Sequence, residues 1–107
     1  MIIRSTFEDG RLTIFFEGEL DHHAARDAIR QIEERIDATC PRETVLDFKR
    51  LTFMDSSGIA VVVKAYKRMN QLGGKLNAIN LGPQPRRVLR AAGVERFVRF
   101  NAMPKEV

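Results

Sequence analysis

The chain has 107 residues, 44% hydrophobic and 30% charged, a composition that predicts one globular domain over residues 1–107. Its longest apolar run, Ile59–Val63, is too short for a membrane-spanning helix, and its start lacks the pattern of a signal peptide. Its single cysteine, Cys40, excludes an internal disulfide. We therefore expect a cytoplasmic protein without a membrane partner. The net charge of +4 comes from residues 83–107, which contain six Lys or Arg and two Glu. These basic residues are spaced along a predicted helix and strand, which predicts a solvated face rather than a nucleic-acid site and leaves attraction to an acidic protein open.

An N-terminal β-hairpin is the first predicted element. Two segments rich in β-forming residues, Ile2–Phe7 and Arg11–Gly18, are separated by Asp9-Gly10, a dipeptide typical of tight hairpin turns. An amphipathic helix is then predicted to begin after Asp21, which can cap it, and to end before Pro41. Its apolar positions recur with helical spacing at Ala25, Ala28, Ile29, Ile32 and Ile36.

A strand and a second helix are predicted next. Thr44–Phe48 has the composition of a short buried strand. The segment Ile59–Val63 has strand propensity of its own, but length and periodicity favour a helix that ends at Gly73-Gly74. The inward stripe of this helix is predicted to comprise Ile59, Val62, Val63, Tyr66 and Met69.

The last third of the chain repeats the alternation of strand and helix. A strand is predicted over Lys75–Ile79, a short helix from near Pro85 to Gly93, and a final strand over Phe97–Phe100. The tail after Pro104 gives no clear pattern. This order of elements predicts an α/β fold in which a mixed sheet, mostly parallel in its later strands, packs against helices.

The junction Asp55-Ser56-Ser57-Gly58 joins the predicted strand to the second helix. Polar residues at such a position cap a helix by accepting hydrogen bonds from its free N–H groups. A hydroxyl left exposed there would tolerate a phosphate, because the helix dipole is positive at its N-terminus. On a helical wheel Val61 falls opposite the inward stripe, which predicts an exposed apolar contact for a partner.

Enzyme and metal sites have weaker support. A serine hydrolase would need a base for Ser57, and both histidines, His22 and His23, precede it outside the usual G-x-S-x-G context. The chain has no phosphate-binding G-x-x-x-x-G-K-[ST] loop. His22, His23 and Cys40 match no metal-binding pattern. We therefore expect no catalytic residue, no metal and no cofactor.

Two motifs resemble those of a known family. Gly18-Glu19-Leu20-Asp21-His22-His23-Ala24-Ala25 and Phe53-Met54-Asp55-Ser56-Ser57-Gly58-Ile59 are similar to segments of the anti-anti-sigma factors of the STAS domain family. The run Leu20-Asp21-His22-His23 resembles the sporulation branch of that family rather than its general-stress branch. The resemblance covers nearly the whole chain and is weakest after Pro83, where the arginine-rich end departs from the family pattern.

The resemblance implies a function as well as a fold. It implies a STAS-like mixed sheet with helices and a protein that is a substrate rather than an enzyme, with Ser57 as phosphoacceptor. The unphosphorylated form would bind an anti-sigma-F type factor, which is also a serine kinase, and release the sigma factor; a serine phosphatase would reverse the modification. The expected partner-binding residues are Asp21, Asp55, Ser56, Ser57, Gly58 and Val61. A general-stress paralogue, or a STAS module that binds a nucleotide or lipid, is the alternative.

Overall fold

The computed structural model of the chain describes residues 1–101 and contains five strands and three α-helices. The elements in chain order are β1 (Ile2–Glu8), β2 (Arg11–Leu20), α1 (His22–Thr39), β3 (Glu43–Met54), α2 (Ser57–Gln71), β4 (Lys75–Ile79), α3 (Pro83–Ala91), a 3₁₀ turn (Val94–Arg96) and β5 (Arg99–Asn101). Lys105 and Glu106, which were counted in the basic C-terminal region, and the tail after Pro104 lie outside the described residues.

The strands form one sheet in the order β1-β2-β3-β4-β5. Strands β1 and β2 are antiparallel, and β2, β3, β4 and β5 are parallel neighbours, so the predicted mixed sheet is confirmed. Each parallel crossover moves the chain one strand in the same direction. Because such crossovers are right-handed, all three helices lie on one face of the sheet.

A single hydrophobic core fills the space between the sheet and the helices. Alternate strand residues such as Ile14, Phe16 and Leu46 meet buried helix residues such as Ile32 and Val62. The rings of Phe16 and Phe48 stack across neighbouring strands with centroids 4.8 Å apart. No helix among residues 1–101 combines the length and the apolarity required to cross a bilayer.

The hairpin and the first helix agree with the sequence. Asp9 and Gly10 both have positive φ angles, as a tight two-residue turn between right-twisted strands requires, and Glu8 pairs with Arg11. The Asp21 side chain accepts a hydrogen bond from the Ala24 N–H, 3.0 Å away, and so caps α1. The predicted inward positions of α1 are buried, apart from Ile29, which is half-buried.

Strand β3 is more than twice as long as predicted. The sequence indicated Thr44–Phe48, but the strand continues to Met54 alongside the last residues of β2. The register between these two strands shifts after Phe15 and after Gly18. Because of these irregularities the inward residues Leu51 and Met54 are three positions apart, so this part of the strand lacks the two-residue alternation that identifies a strand in a sequence.

The remaining boundaries differ from prediction by a few residues. Helix α3 begins at Pro83 rather than near Pro85, since proline is well tolerated in the first turn of a helix. The C-terminal strand begins at Arg99 rather than Phe97, because the 3₁₀ turn occupies the preceding residues. The predicted stop of α2 is correct: Gly73 has a φ of +73° and closes the helix.

Candidate functional site

The candidate site lies at the edge of the sheet where the parallel strands β2 and β3 end. Asp21 follows β2 and Asp55 follows β3, so each aspartate stands immediately before a helix. The Asp55 N–H donates to the Leu20 carbonyl across the two strand ends, 3.1 Å away. The two aspartates and the serine pair are therefore brought to the same edge, where polar groups of open α/β sheets commonly meet ligands.

Asp55, not a serine, caps helix α2. Its Oδ1 accepts a hydrogen bond of 2.8 Å from the Ser57 N–H, and its carbonyl accepts one of 3.0 Å from the Gly58 N–H. Ser56 occupies the position before the helix with a helical backbone, and its side chain makes no capping hydrogen bond. The sequence indicated that a polar residue of this segment caps the helix. The Asp55 carboxylate accepts the capping hydrogen bond, so neither serine hydroxyl is needed as the cap.

The two serines differ in exposure. Ser56 is exposed, whereas Ser57, the first residue of α2, is half-buried between Ser56 and the buried Gly58. The N–H groups of Ser57 and Gly58 are bonded to Asp55, and that of Ile59 is bonded to the Ser56 carbonyl. What remains for an added anion at this position is the partial positive charge of the helix N-terminus.

Asp21 caps α1 in the same way, and its charge is stabilised there. The hydrogen bond from the Ala24 N–H is the main cause that lowers the pKa of Asp21 below its usual value, and the nearby His23 side chain lowers it further. His22 and His23 are exposed, with ring centroids 3.9 Å apart. Within residues 1–101 no three histidine, cysteine or carboxylate side chains gather closely enough to hold a metal ion.

Gly58 is buried beneath Ser57 against Met54 and does not form part of the site's surface. A Cβ at this position would lie 2.4 Å from Cγ and 2.7 Å from Sδ of Met54. Gly58 therefore lets the start of α2 pack directly on the end of β3. We correct its expected role accordingly: it fixes the position of Ser57 and is not itself an open contact for a partner.

The prediction that Val61 is an exposed contact is wrong. Val61 is 1% exposed and belongs to the core. The helical wheel was centred on the largest apolar residues, but the buried face of α2 is centred on Gly58, Val62, Ala65 and Met69, which include small side chains. Val61 lies on the flank toward α1, where Arg68 on the same flank contacts Glu33 and Asp37 of α1 at 3.6 and 3.7 Å.

Sequence reasoning missed Gln84, which ties α3 to the site. The amide of Gln84 accepts a 2.9 Å hydrogen bond from the Met54 N–H and donates one of 2.6 Å to the Met54 carbonyl. Strand β4 pairs with β3 only as far as Asp47, so the side-chain amide satisfies backbone groups that no strand reaches. The Pro83-Gln84-Pro85 sequence signals a helix start, but nothing in it indicates the backbone that the amide contacts.

A cleft of about 700 Å³ lies at the opposite end of the sheet, away from the serines. It is lined by charges of both signs, including Arg11, Arg42, Glu43 and Lys75. Arg11 is already paired with Glu43 at 2.9 Å, and Arg42 donates to the Asp9 carbonyl at 2.6 Å. Because Arg11, Arg42 and Glu43 are already engaged within the protein, the cleft has weaker support as a ligand site than the serine junction, which remains the candidate site.

Comparison with known proteins is consistent with this geometry. Residues 3–106 match the model of the STAS domain family. The chain is 37% identical to the anti-sigma F factor antagonist of Paenibacillus polymyxa over 95 aligned residues. The alignment covers 89% of this chain and 77% of that protein. A second antagonist of the same name, from Lysinibacillus sphaericus, is 33% identical over 81 residues, or 72% of this chain and 66% of that protein.

Two solved structures extend the comparison to three dimensions. The anti-sigma factor antagonist SpoIIAA in its unphosphorylated form superposes with a TM-score of 0.81 at 25% identity, covering 95% of this chain and 90% of that one. The Bacillus cell fate determinant SpoIIAA in the phosphorylated form gives a TM-score of 0.73 at 25% identity, with 95% and 93% covered. The fold predicted from the sequence is therefore confirmed.

Proposed function

The chain belongs to the STAS domain family, and we propose that it is an antagonist of an anti-sigma factor. Curated relatives that carry this function match most of the chain, and a solved antagonist shares its fold. The unphosphorylated protein would bind the anti-sigma factor at the end of the sheet that carries Asp21, Asp55, Ser56 and Ser57, with Gly58 supporting that surface. The bound anti-sigma factor would then release its sigma factor for transcription.

The position of Ser57 is the observation that carries the proposal. It is the first residue of α2, the residue is partly exposed, and the cap of the helix is supplied by Asp55 instead. Phosphorylation of Ser57 would therefore remove no hydrogen bond that starts the helix. An exposed phosphate at a helix N-terminus favours the fold by about 0.3–1 kcal/mol, so unfolding is not the means of regulation.

A phosphate on Ser57 would instead inactivate the docking surface directly. It brings about −1.5 to −2 charges and three acceptor oxygens to a surface that already carries Asp21 and Asp55. A partner that docks there would have to desolvate the phosphate or face added negative charge. We propose that the partner is also the serine kinase that adds the phosphate, and that a serine phosphatase removes it.

The branch of the family is a finer proposal. The Leu20-Asp21-His22-His23 run resembles the sporulation antagonists, and two relatives are named antagonists of anti-sigma F factors. We therefore propose an anti-sigma-F type partner and a cytoplasmic role in sporulation transcription.

Phosphoacceptor mapping tests the site. The protein is incubated with its cognate anti-sigma factor and ATP, and its intact mass is measured. We expect one added phosphate on the unaltered protein and on Ser56→Ala, which removes the neighbouring hydroxyl as a matched control. Ser57→Ala should take up none and should still bind the anti-sigma factor. Phosphate on Ser57→Ala, or its loss only in Ser56→Ala, would contradict the assignment.

A further inference from the structure

The segment that begins at the serine pair and runs to Val94 has basic residues and no acidic ones. Residues 56–94 contain seven Lys or Arg and no Asp or Glu, whereas residues 1–55 contain eight Lys or Arg and twelve Asp or Glu. The net charge of +4 is therefore the sum over two oppositely charged parts of the sequence, an acidic first part and a basic second part. The structure determines where the positive part lies and which of its charges are free to act on another molecule.

The exposed side of α2 forms a stripe that starts at the candidate phosphoacceptor. Ala60, Lys64 and Lys67 are exposed, and their spacing places them together on the side of the helix away from the sheet, with the half-buried Ser57 at the edge of that side. At 1.5 Å of rise per residue, Lys64 lies about 10 Å from Ser57 along the helix axis and Lys67 about 15 Å.

Helix α3 adds a further cation to this surface. Pro85 and Leu89 bury one side of α3 against the sheet, and Arg87, on the opposite side, is exposed. The Gln84 amide holds the first turn of α3 against the strand that leads into the serine pair. We call Lys64, Lys67 and Arg87 the cationic stripe.

The cations of this stripe are free, while their neighbours are engaged. Arg68 contacts Glu33 and Asp37, Arg90 lies 3.2 Å from Glu95, and Arg86 lies over the Phe100 ring at 5.8 Å from its centroid. No acidic side chain among residues 1–101 is within 4 Å of the ammonium or guanidinium nitrogens of the cationic stripe. Its field is therefore not cancelled locally.

From this arrangement we propose that the cationic stripe steers an acidic face of the anti-sigma factor onto the Ser57 end of the molecule. This inference rests on the proposed function and adds the chemistry of the partner surface and the kinetic step. The stripe lies on two helices that flank the docking residues, and a complementary partner must present Asp or Glu opposite it. Exposed charges at the rim of an interface act mainly on the association rate, because they attract before contact is made.

Phosphorylation would then act on the same field. A phosphate on Ser57 stands at the head of the stripe and offsets about two of its three charges. The distance of about 10 Å to Lys64 is close to the Debye length of about 8 Å at physiological salt, so the effect is largest at low ionic strength. Added salt should therefore weaken both the attraction of the partner by the cationic stripe and the effect of the phosphate on that attraction.

A pair of charge-matched double variants tests the proposal. Lys64→Glu with Lys67→Glu reverses the stripe, and Arg4→Glu with Arg26→Glu makes the same change in net charge at exposed positions of β1 and α1 that form no ion pair among the described residues. Association and dissociation rates with the anti-sigma factor are measured by surface plasmon resonance from 0.02 to about 0.5 M salt. Thermal unfolding verifies that both double variants are folded.

We expect reversal of the stripe to slow association about tenfold at low salt, with the dissociation rate changed by less than about threefold, and the difference to vanish at high salt. The control pair should slow association by less than about threefold. Equal effects in both pairs, or an effect on dissociation alone, would overturn the proposal. So would stripe-dependent binding to a DNA duplex, anionic vesicles or a second copy of the chain in place of the anti-sigma factor.

The two levels of inference fail in different ways. If the unaltered protein binds no anti-sigma factor at any salt concentration, the proposed function is wrong and the stripe loses its assigned partner. If it binds and both double variants associate as fast as the unaltered protein, the antagonist function stands and only the steering role is refuted.

Discussion

Helices α1 and α2 lie side by side on the same face of the sheet, and each begins after a capping aspartate at the same edge, yet their outward surfaces are organised differently. On α1, Arg30 is paired with both Asp27 and Glu34, so opposite charges alternate and satisfy one another. On α2 there is no acidic residue, and Lys64 and Lys67 have no ion-pair partner among the described residues.

This difference separates a surface that serves solubility from one suited to recognition. Paired, exposed charges such as those of α1 contribute little beyond hydration and have a weak field at a distance. An unbalanced set retains its field and can select a partner of opposite charge. The phosphoacceptor candidate stands at the start of the unbalanced helix, so one modification can change the charge of the whole docking surface.

The largest expected effect concerns the boundary between the two helices. Val61→Asp would bury an unpaired carboxylate on the flank of α2 that meets α1, and we expect it to lower the free energy of unfolding by about 3–5 kcal/mol. Chemical denaturation measures this loss. Ala60→Asp, one residue away on the exposed side, is the matched control and should change stability by less than about 0.5 kcal/mol. Similar values for both variants would contradict the orientation of α2.

A smaller effect is expected where α3 is tied to the serine junction. Gln84→Ala would leave the buried N–H and carbonyl of Met54 without partners, at a cost of about 1–3 kcal/mol in urea denaturation. Gln71→Ala removes an exposed amide from the end of α2 and should be neutral. Were the two variants equally stable, the amide of Gln84 would not hold α3 in place.

The cap of α2 should matter less than the Gln84 contact. Asp55→Ala removes the acceptor of the Ser57 N–H and should cost about 1 kcal/mol, whereas Asp55→Asn retains a capping oxygen and should cost only part of that. Urea denaturation at neutral pH measures both variants. An Asp55→Ala protein as stable as the unaltered one would mean that Ser56 takes over the cap.

The smallest effect is expected at the start of α1 and depends on pH. The Ala24 N–H lowers the pKa of Asp21 in the folded protein, so its carboxylate stabilises the fold above the usual pKa near 3.8, and this contribution is lost as the pH falls through the lowered folded pKa. Asp21→Asn should show a shallower loss of stability between neutral and acidic pH. Identical pH profiles for the two proteins would exclude this contribution.

Most of the fold could be predicted because its signals are local. Three such signals depend only on the conformation or hydrogen bonding of the backbone next to them: the Asp9-Gly10 turn, the cap at Asp21 and the glycine stop at Gly73. The structure confirms all three. The length of β3 could not be predicted, because irregular pairing with β2 displaces Leu51 and Met54 from strand periodicity. Such pairing depends on contacts between segments that are distant in the sequence.

The site was predictable in location and less so in detail. The Asp55-Ser56-Ser57-Gly58 segment lies at the strand–helix junction, where the sequence placed it. The error at Val61 arose because a helix packed against both a sheet and a neighbouring helix buries two flanks, whereas a wheel built from large apolar residues assumes one. Gln84 was missed because a side chain bonded to distant backbone has no sequence signature.

The footprint of the partner on the protein tests the difference between the two helices most directly. Isotope-labelled protein is titrated with the anti-sigma factor, and changes in backbone amide resonances are mapped by NMR. We expect the largest changes at Ser56, Ser57, Ala60, Lys64 and Lys67, with little change along the outward side of α1. Changes concentrated on Arg26, Arg30 and Glu34, with the serine junction and the cationic stripe undisturbed, would contradict docking at the Ser57 end.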